Sequence, residues 1–209
     1  MNKQLKEQLD DMYEFGKSHD SKAKAHSEQL LNITPDTGLF LSILVQAVNA
    51  RQVLEIGTSD GYSTIWIADA LRSLRGGTVT TFEISEKKFR MAKLSFEKSG
   101  LTRYINHRLG DIRPYLRKAK AESVDLIFLD AERPQYVSYW VDMDRALKPK
   151  GLLVVDNALS PKPEELVDFF NLVQGTGRYL SQMLQIGKGE MVALKQQSAR
   201  PRAKNAHAA

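Results

Sequence analysis

From residue 52 onward the chain alternates short apolar runs with segments of helical period. RQVLEIG precedes YSTIWIADALRSL, GTVTTFEI precedes EKKFRMAKLSFEKSG, and RYINHRLGD precedes a short helical segment. VDLIFLD precedes a helix over about 134–147, and KGLLVVDN precedes EELVDFFNLV. Strand–helix units in this order imply α/β architecture, with a parallel sheet covered by helices on both faces. Two further strands, YLSQMLQI and EMVALKQ, are separated by GKG, which reads as a hairpin turn. A terminal antiparallel hairpin on a parallel sheet departs from a plain dinucleotide-binding fold. At 209 residues the chain has room for one well-buried domain of this kind.

The residues before this series read as helices. Leu5, Leu9, Met12 and Phe15 recur at helical spacing, and their stripe suits either core packing or a homodimer contact. A second, polar helix is expected over about 19–31. Thr34-Pro35-Asp36 reads as a helix start: a capping hydroxyl, proline in the first turn and an acid near the positive end. The expected organisation is residues 1–50 as N-terminal helices packing on or capping a core of residues 51–195, followed by a basic, disordered tail over 196–209. That tail carries Arg200, Arg202 and Lys204 and no acid, so it supplies three of the five net positive charges. A solvated tail accounts for the basic balance without nucleic acid. The sequence has no cysteine, which excludes disulfides, zinc-thiolate sites and cysteine nucleophiles. The start, MNKQLKEQLDDM, lacks a secretory apolar core, and LFLSILVQAV (39–48) is too short to span a bilayer, so a cytoplasmic location is expected.

The first strand runs into Glu55-x-Gly57-x-x-x-Gly61-Tyr62-Ser63. A nicotinamide-binding turn needs a middle glycine for close approach to a pyrophosphate, and it is missing here. Gly57 and Gly61 still permit a tight turn against an uncharged ribose or a methionine moiety. Two roles are open to Glu55: fixing the turn, or facing a cationic ligand. Glu83 ends the second strand, where a carboxylate can accept both hydroxyl hydrogens of a ribose. Asp111 follows the third strand and suits an adenine amino group, a helix cap, or both.

EIGTSDGYST, TFEISEKKFRMAK, LGDIRPYL, IFLDAERPQY and VVDNAL occur in the order and spacing of class I S-adenosylmethionine-dependent methyltransferases. Over about residues 30–195 the chain resembles the cation-dependent O-methyltransferases of the catechol and caffeoyl-CoA type. The resemblance implies a Rossmann-like, doubly wound, seven-stranded, mostly parallel sheet whose last strand is antiparallel. It places Gly57, Gly61, Tyr62 and Ser63 beside the methionine part of the cofactor, Glu83 on the ribose, and Asp111 with Ile112 at the adenine.

Asp130 ends the fourth strand, and Asp156 with Asn157 ends the fifth. Neighbouring strand ends lie one strand spacing apart, ~5 Å, so two carboxylates and an amide oxygen converge above the sheet. That hard, all-oxygen set suits Mg²⁺, Mn²⁺ or Ca²⁺ and not zinc. Asp and Asn are also ordinary turn formers at strand ends. The resembling family uses these positions as metal ligands, with Asp130 next to the cofactor. A catechol chelated there through both oxygens would lose its proton more easily and attack the sulfonium methyl. The chain departs from the family at Arg133, where a lysine usually stands as candidate general base. Arginine stays protonated, so Arg133 is expected to clamp an acidic acceptor, to stabilise the phenolate, or to form a surface ion pair such as one with Glu132 or Asp142. Trp66 and Trp140 are assigned to packing, and no histidine to catalysis. The expectation is S-adenosylmethionine-dependent O-methylation of a small hydroxylated aromatic, cation-assisted (Mg²⁺, Mn²⁺ or Ca²⁺) in the family's manner. Its rivals are metal-independent methyl transfer with Arg133 orienting an acidic acceptor, RNA methylation, and a non-catalytic cofactor-binding module.

Overall fold

The computed structural model describes residues 1–197; from residue 198 the expected tail lies outside the described residues. Seven strands form one sheet in the order β3-β2-β1-β4-β5-β7-β6. They are β1 (Gln52–Ile56), β2 (Thr78–Glu83), β3 (Ile105–Leu109), β4 (Val124–Leu129), β5 (Leu147–Val155), β6 (Tyr179–Leu184) and β7 (Glu190–Lys195). The first five are mutually parallel, while β7 runs antiparallel to both β5 and β6. The chain order reverses between β1 and β4, and the crevice at such a reversal is where an open α/β sheet binds ligands.

Seven α-helices flank the sheet: α1 (Lys3–Asp20), α2 (Pro35–Ala47), α3 (Tyr62–Ser73), α4 (Glu86–Ser99), α5 (Arg113–Lys118), α6 (Tyr136–Ala146) and α7 (Val167–Gly175). Alternation along the strands divides the core in two. Val53, Leu126, Phe128, Leu152 and Val154 face α1–α4 and pack with Leu9, Leu41, Ile65 and Phe96. Leu54, Ile56, Ile127, Leu129, Leu153 and Val155 face the other way and pack with Leu116, Trp140, Met143 and Phe169. Leu5 and Leu9 of α1 are buried in the first core, whereas Phe15 of the same stripe is 52% exposed.

The helix starts follow their capping residues. Thr34 Oγ1 accepts from Thr37 N at 3.2 Å with Pro35 in the first turn, and Ser85 Oγ caps α4 through Lys88 N. The polar helix expected over 19–31 does not form. α1 runs on to Asp20, and only a single 3₁₀ turn, His26–Glu28, follows before α2. The Asp20 carboxylate accepts from Leu30 N (2.7 Å) and Leu31 N (2.8 Å), folding the chain back on itself, with Leu31 at φ 54°. Leu30 and Ile33 are buried in this extended strap, whose polar stretch offers no apolar stripe to hold a helix.

Candidate active site

The glycine turn explains its own composition. Gly57 has φ 108° and Gly61 φ 90°; a Cβ on the first would collide with the Asp130 carbonyl, and on the second with the Phe96 ring. Glu55 shares its face of β1 with Val53 and so points to α3, where it is fully buried. Ser63 Oγ donates to it at 2.6 Å and Thr64 Oγ1 donates to its other oxygen. Burial pushes the Glu55 carboxyl up to about 7, against the lowering effect of those hydroxyls. Of its two open roles, the geometry supports fixing the turn: the carboxylate is enclosed and does not face a ligand. Tyr62 and Ser63 also point inward, Tyr62 lying 2% exposed beside Tyr13 and Trp66. What these two residues leave for a ligand is backbone.

Glu83 closes the turn from β2. Its two oxygens accept from Ser59 N (2.8 Å) and Ser85 N (2.7 Å), joining the glycine turn to the start of α4. Asp111 is exposed and turns back on its own loop, accepting from Arg113 N and Nε, both at 2.8 Å. The Arg113 guanidinium holds its carboxyl below the usual range. Ile112 is buried beside it. The strap lies over the turn: Ser59 Oγ donates to Leu30 O at 2.7 Å, and Asn32 Nδ2 donates to Asp60 at 3.3 Å.

Strand parity and register bring the second group together. Leu129 pairs with Val155, and Val155 with Met191, so Asp130, Asp156 and Glu190 sit side by side on the α2 face. Asn157, at φ 57°, turns its Nδ2 to Asp130 Oδ1 (3.4 Å) and to Asp156 Oδ2. Glu190 is fully buried, and its Oε1 accepts from Thr37 Oγ1 at 3.0 Å. Burial, then its hydrogen bond with Asp156, pushes Glu190 up to about 11, so this pair holds a proton at neutral pH. Asp130 is raised well above the carboxylate range by burial and then by Asp156; Asp156 is raised by burial. Two buried oxygens here have no partner, Asn157 Oδ1 and Glu190 Oε2. A proton on Oε2 accounts for the second, since it would donate to Asp156. Nothing in the described protein satisfies the first. Among the described residues no three His, Cys, Asp or Glu side chains are arranged to hold a metal, so any cation set rests on two carboxylates and the amide.

Arg133 forms its ion pair with Glu165, not with Glu132 or Asp142, and spends its other hydrogen bonds on backbone. Its side chain is 13% exposed, and the guanidinium donates to the carbonyls of Pro161, Lys162 (2.8 Å) and Asn157 (3.1 Å), with Glu165 at 3.6 Å. The ion pair expected with Glu132 or Asp142 is absent among the described residues, and the planar fork is used to strap down the loop after β5. Sequence reasoning missed Glu190, Thr37 and Tyr136. The Tyr136 hydroxyl accepts from Ala131 N (2.9 Å) and donates to Ala131 O (2.8 Å), fixing the residue after Asp130. For Glu190 a signal existed: an acid opening an otherwise apolar strand.

Residues 8–162 match the family model described as O-methyltransferase, and the chain belongs to that family. It is 37% identical over 132 residues to a catechol O-methyltransferase of Niastella koreensis, covering 62% of this chain and 59% of that protein. It is 31% identical over 139 residues to caffeoyl-CoA O-methyltransferase 1 of Zea mays, covering 64% and 53%. The matched region thus spans somewhat over half the length of these relatives. An O-methyltransferase from Bacillus cereus, solved in complex with SAH, superposes with a TM-score of 0.76 at 29% identity, covering 91% of each chain. The seven-stranded fold is the one read from the sequence. Among the described residues no helix is long and apolar enough to cross a membrane.

Proposed function

We propose that the protein transfers a methyl group from S-adenosylmethionine to a hydroxyl of a small catechol-like or phenolic acceptor, with a divalent cation, Mg²⁺ by preference, at the ends of β4 and β5. The observation that carries this reading is the buried, unpartnered Asn157 Oδ1 beside two carboxylates forced together at the sheet crevice. Buried polar atoms are rarely left unpaired, and an amide oxygen with two carboxylates is a donor set for a hard cation. Family membership and the SAH-bound Bacillus cereus relative support the cofactor. The names of the Niastella koreensis and Zea mays relatives support the acceptor class.

In this reading the sulfonium cofactor supplies an electrophilic methyl group. The glycine turn, which Gly57 and Gly61 let close against Asp130 and Phe96, presents its backbone to the methionine part, Glu83 takes the ribose hydroxyls, and Asp111 with Ile112 borders the adenine. Asp130, Asp156 and Asn157 would hold the cation, whose charge would make an acceptor hydroxyl easier to deprotonate. The Asn157 amide N–H groups bridge the two acids, and its unpartnered oxygen is the atom it would offer a cation. Glu190 keeps its proton on the side of Asp156, and Thr37 fixes its other oxygen, so the acid cluster holds its shape before loading. Arg133 and Tyr136 position Asn157 and Asp130 through backbone groups. Mass spectrometry of a catechol incubated with protein, S-adenosylmethionine and Mg²⁺ tests this. A methylated product lost on EDTA treatment is expected; full activity in EDTA would remove the cation from the account.

A further inference from the structure

The loop that Arg133 straps and the hairpin that follows β6 meet at one point, and a single lysine stands there. Ala158 N donates to Gly189 O at 2.7 Å and Leu159 N to Lys188 O at 3.3 Å, so the hairpin tip is bonded to the residues directly after Asn157. The tip has no slack. Gly189 N donates to Ile186 O at 2.8 Å, a Cβ on Gly187 would meet Thr34 and Thr37, and a Cβ on Gly189 would meet Leu159. Lys188 is exposed, and among the described residues its ammonium makes no hydrogen bond and no ion pair. Its charge nevertheless reaches both Asp130 and Asp156. Arg133, the other cation close to those acids, is committed to three carbonyls.

Resting on the methyltransferase reading above, we propose that Lys188 is the acceptor-selecting residue of this site: an unengaged cation on a hairpin tip bonded to the residues directly after Asn157, which favours aromatic acceptors carrying a carboxylate or other anionic group. The buried acids alone would repel such a ligand. A mobile four-carbon stem ending in a compact charge lets Lys188 pair with a carboxylate displaced from the reacting hydroxyl, which a guanidinium fixed to backbone cannot do.

The test compares kcat/KM for 3,4-dihydroxybenzoate and 4-methylcatechol in wild type, Lys188→Met and Lys188→Arg, with thermal melts to confirm folding. A charge-assisted contact predicts that Lys188→Met loses about 10-fold or more on the acid and little on the neutral catechol, with Lys188→Arg restoring most of the difference. The preference should also weaken with added salt in wild type and not in Lys188→Met. An unchanged acid-to-neutral ratio in Lys188→Met, or an equal loss on both acceptors, overturns the proposal. Transfer by wild type to neither acceptor would sink the methyltransferase reading, and this inference with it.

Discussion

Two buried acids face the same side of the sheet, and their surroundings differ. Glu55 at the end of β1 and Asp156 just past the end of β5 both point toward α1–α4 and are both nearly inaccessible. Glu55 is complete: a hydroxyl from α3 meets each of its oxygens. Asp156 stands in a group that is incomplete, with a second acid beside it, a third sharing its proton, and an amide oxygen left unpaired. A buried charge satisfied by its own chain stabilises a turn. A crowded set of oxygens that its own chain leaves unsatisfied is a place for a ligand. The comparison assigns structure to the first acid and chemistry to the second, although both end strands of the same sheet.

The comparison breaks most visibly at Asp156. Asp156→Ala should reduce cation-dependent turnover by more than about 100-fold while S-adenosylmethionine affinity, read by calorimetry, changes little, since one ligand and the Glu190 proton partner are lost together. A variant that kept its turnover would place the chemistry elsewhere.

Glu55 should show its effect in stability and its pH dependence. Its folded pKa of about 7 lies above the ordinary glutamate value of 4.5, so the native state binds the extra proton between those limits. The stability associated with this group is therefore full below pH 4.5 and declines as pH rises through 7. The decline is bounded by roughly 3 kcal/mol, at 1.36 kcal/mol per pKa unit. Glu55→Gln removes the titration, so urea melts at pH 5 and pH 8 should show the variant gaining relative to wild type at the higher pH. Parallel behaviour of the two proteins would mean that Glu55 is less enclosed than described.

Glu83→Ala should weaken S-adenosylmethionine binding by about 1–3 kcal/mol, the range for hydrogen bonds to a charged group. It should also loosen the Ser59 and Ser85 backbone groups that the carboxylate holds. Glu83→Gln, which retains an oxygen acceptor, separates the two effects: binding recovered in this variant would assign the loss to the turn. Arg133→Ala has the smallest expected effect on chemistry. It should raise amide hydrogen exchange over residues 157–162 and lower cation affinity by less than about 10-fold, because it acts through the Asn157, Pro161 and Lys162 carbonyls. Unaltered exchange in that loop would leave Arg133 without the strapping role.

Much of this architecture was legible before the structure. The alternation of runs from residue 52 gives five parallel strands because such runs bury both faces, and Thr34-Pro35 and Ser85 start their helices through local bonds. Asp130, Asp156 and Asn157 could be placed together because parallel strand ends align. Glu190 could not, since it reaches the group only through the register of an antiparallel strand, which local pattern does not set. The helix expected over about 19–31 gives way to a strap beyond Asp20 because Asp20 bonds forward to Leu30 and Leu31, across ten residues and more. The bonds of Arg133 could not be read because its partners are backbone carbonyls nearly thirty positions away, with no side-chain signature to announce them. The inward course of Tyr62 and Ser63 was hidden for a related reason: a motif names residues, while the helix decides which of their atoms a ligand meets.

The central claim is that the strand-end group is built for a cation. Titration of Mn²⁺ into wild type and Asn157→Ala, followed by the loss of the free-ion electron paramagnetic resonance signal, measures it without reference to turnover or acceptor. One site in wild type, displaced by Mg²⁺ and weakened by about 10-fold or more in Asn157→Ala, is the predicted result. No uptake by wild type, or equal uptake by both proteins, would contradict it.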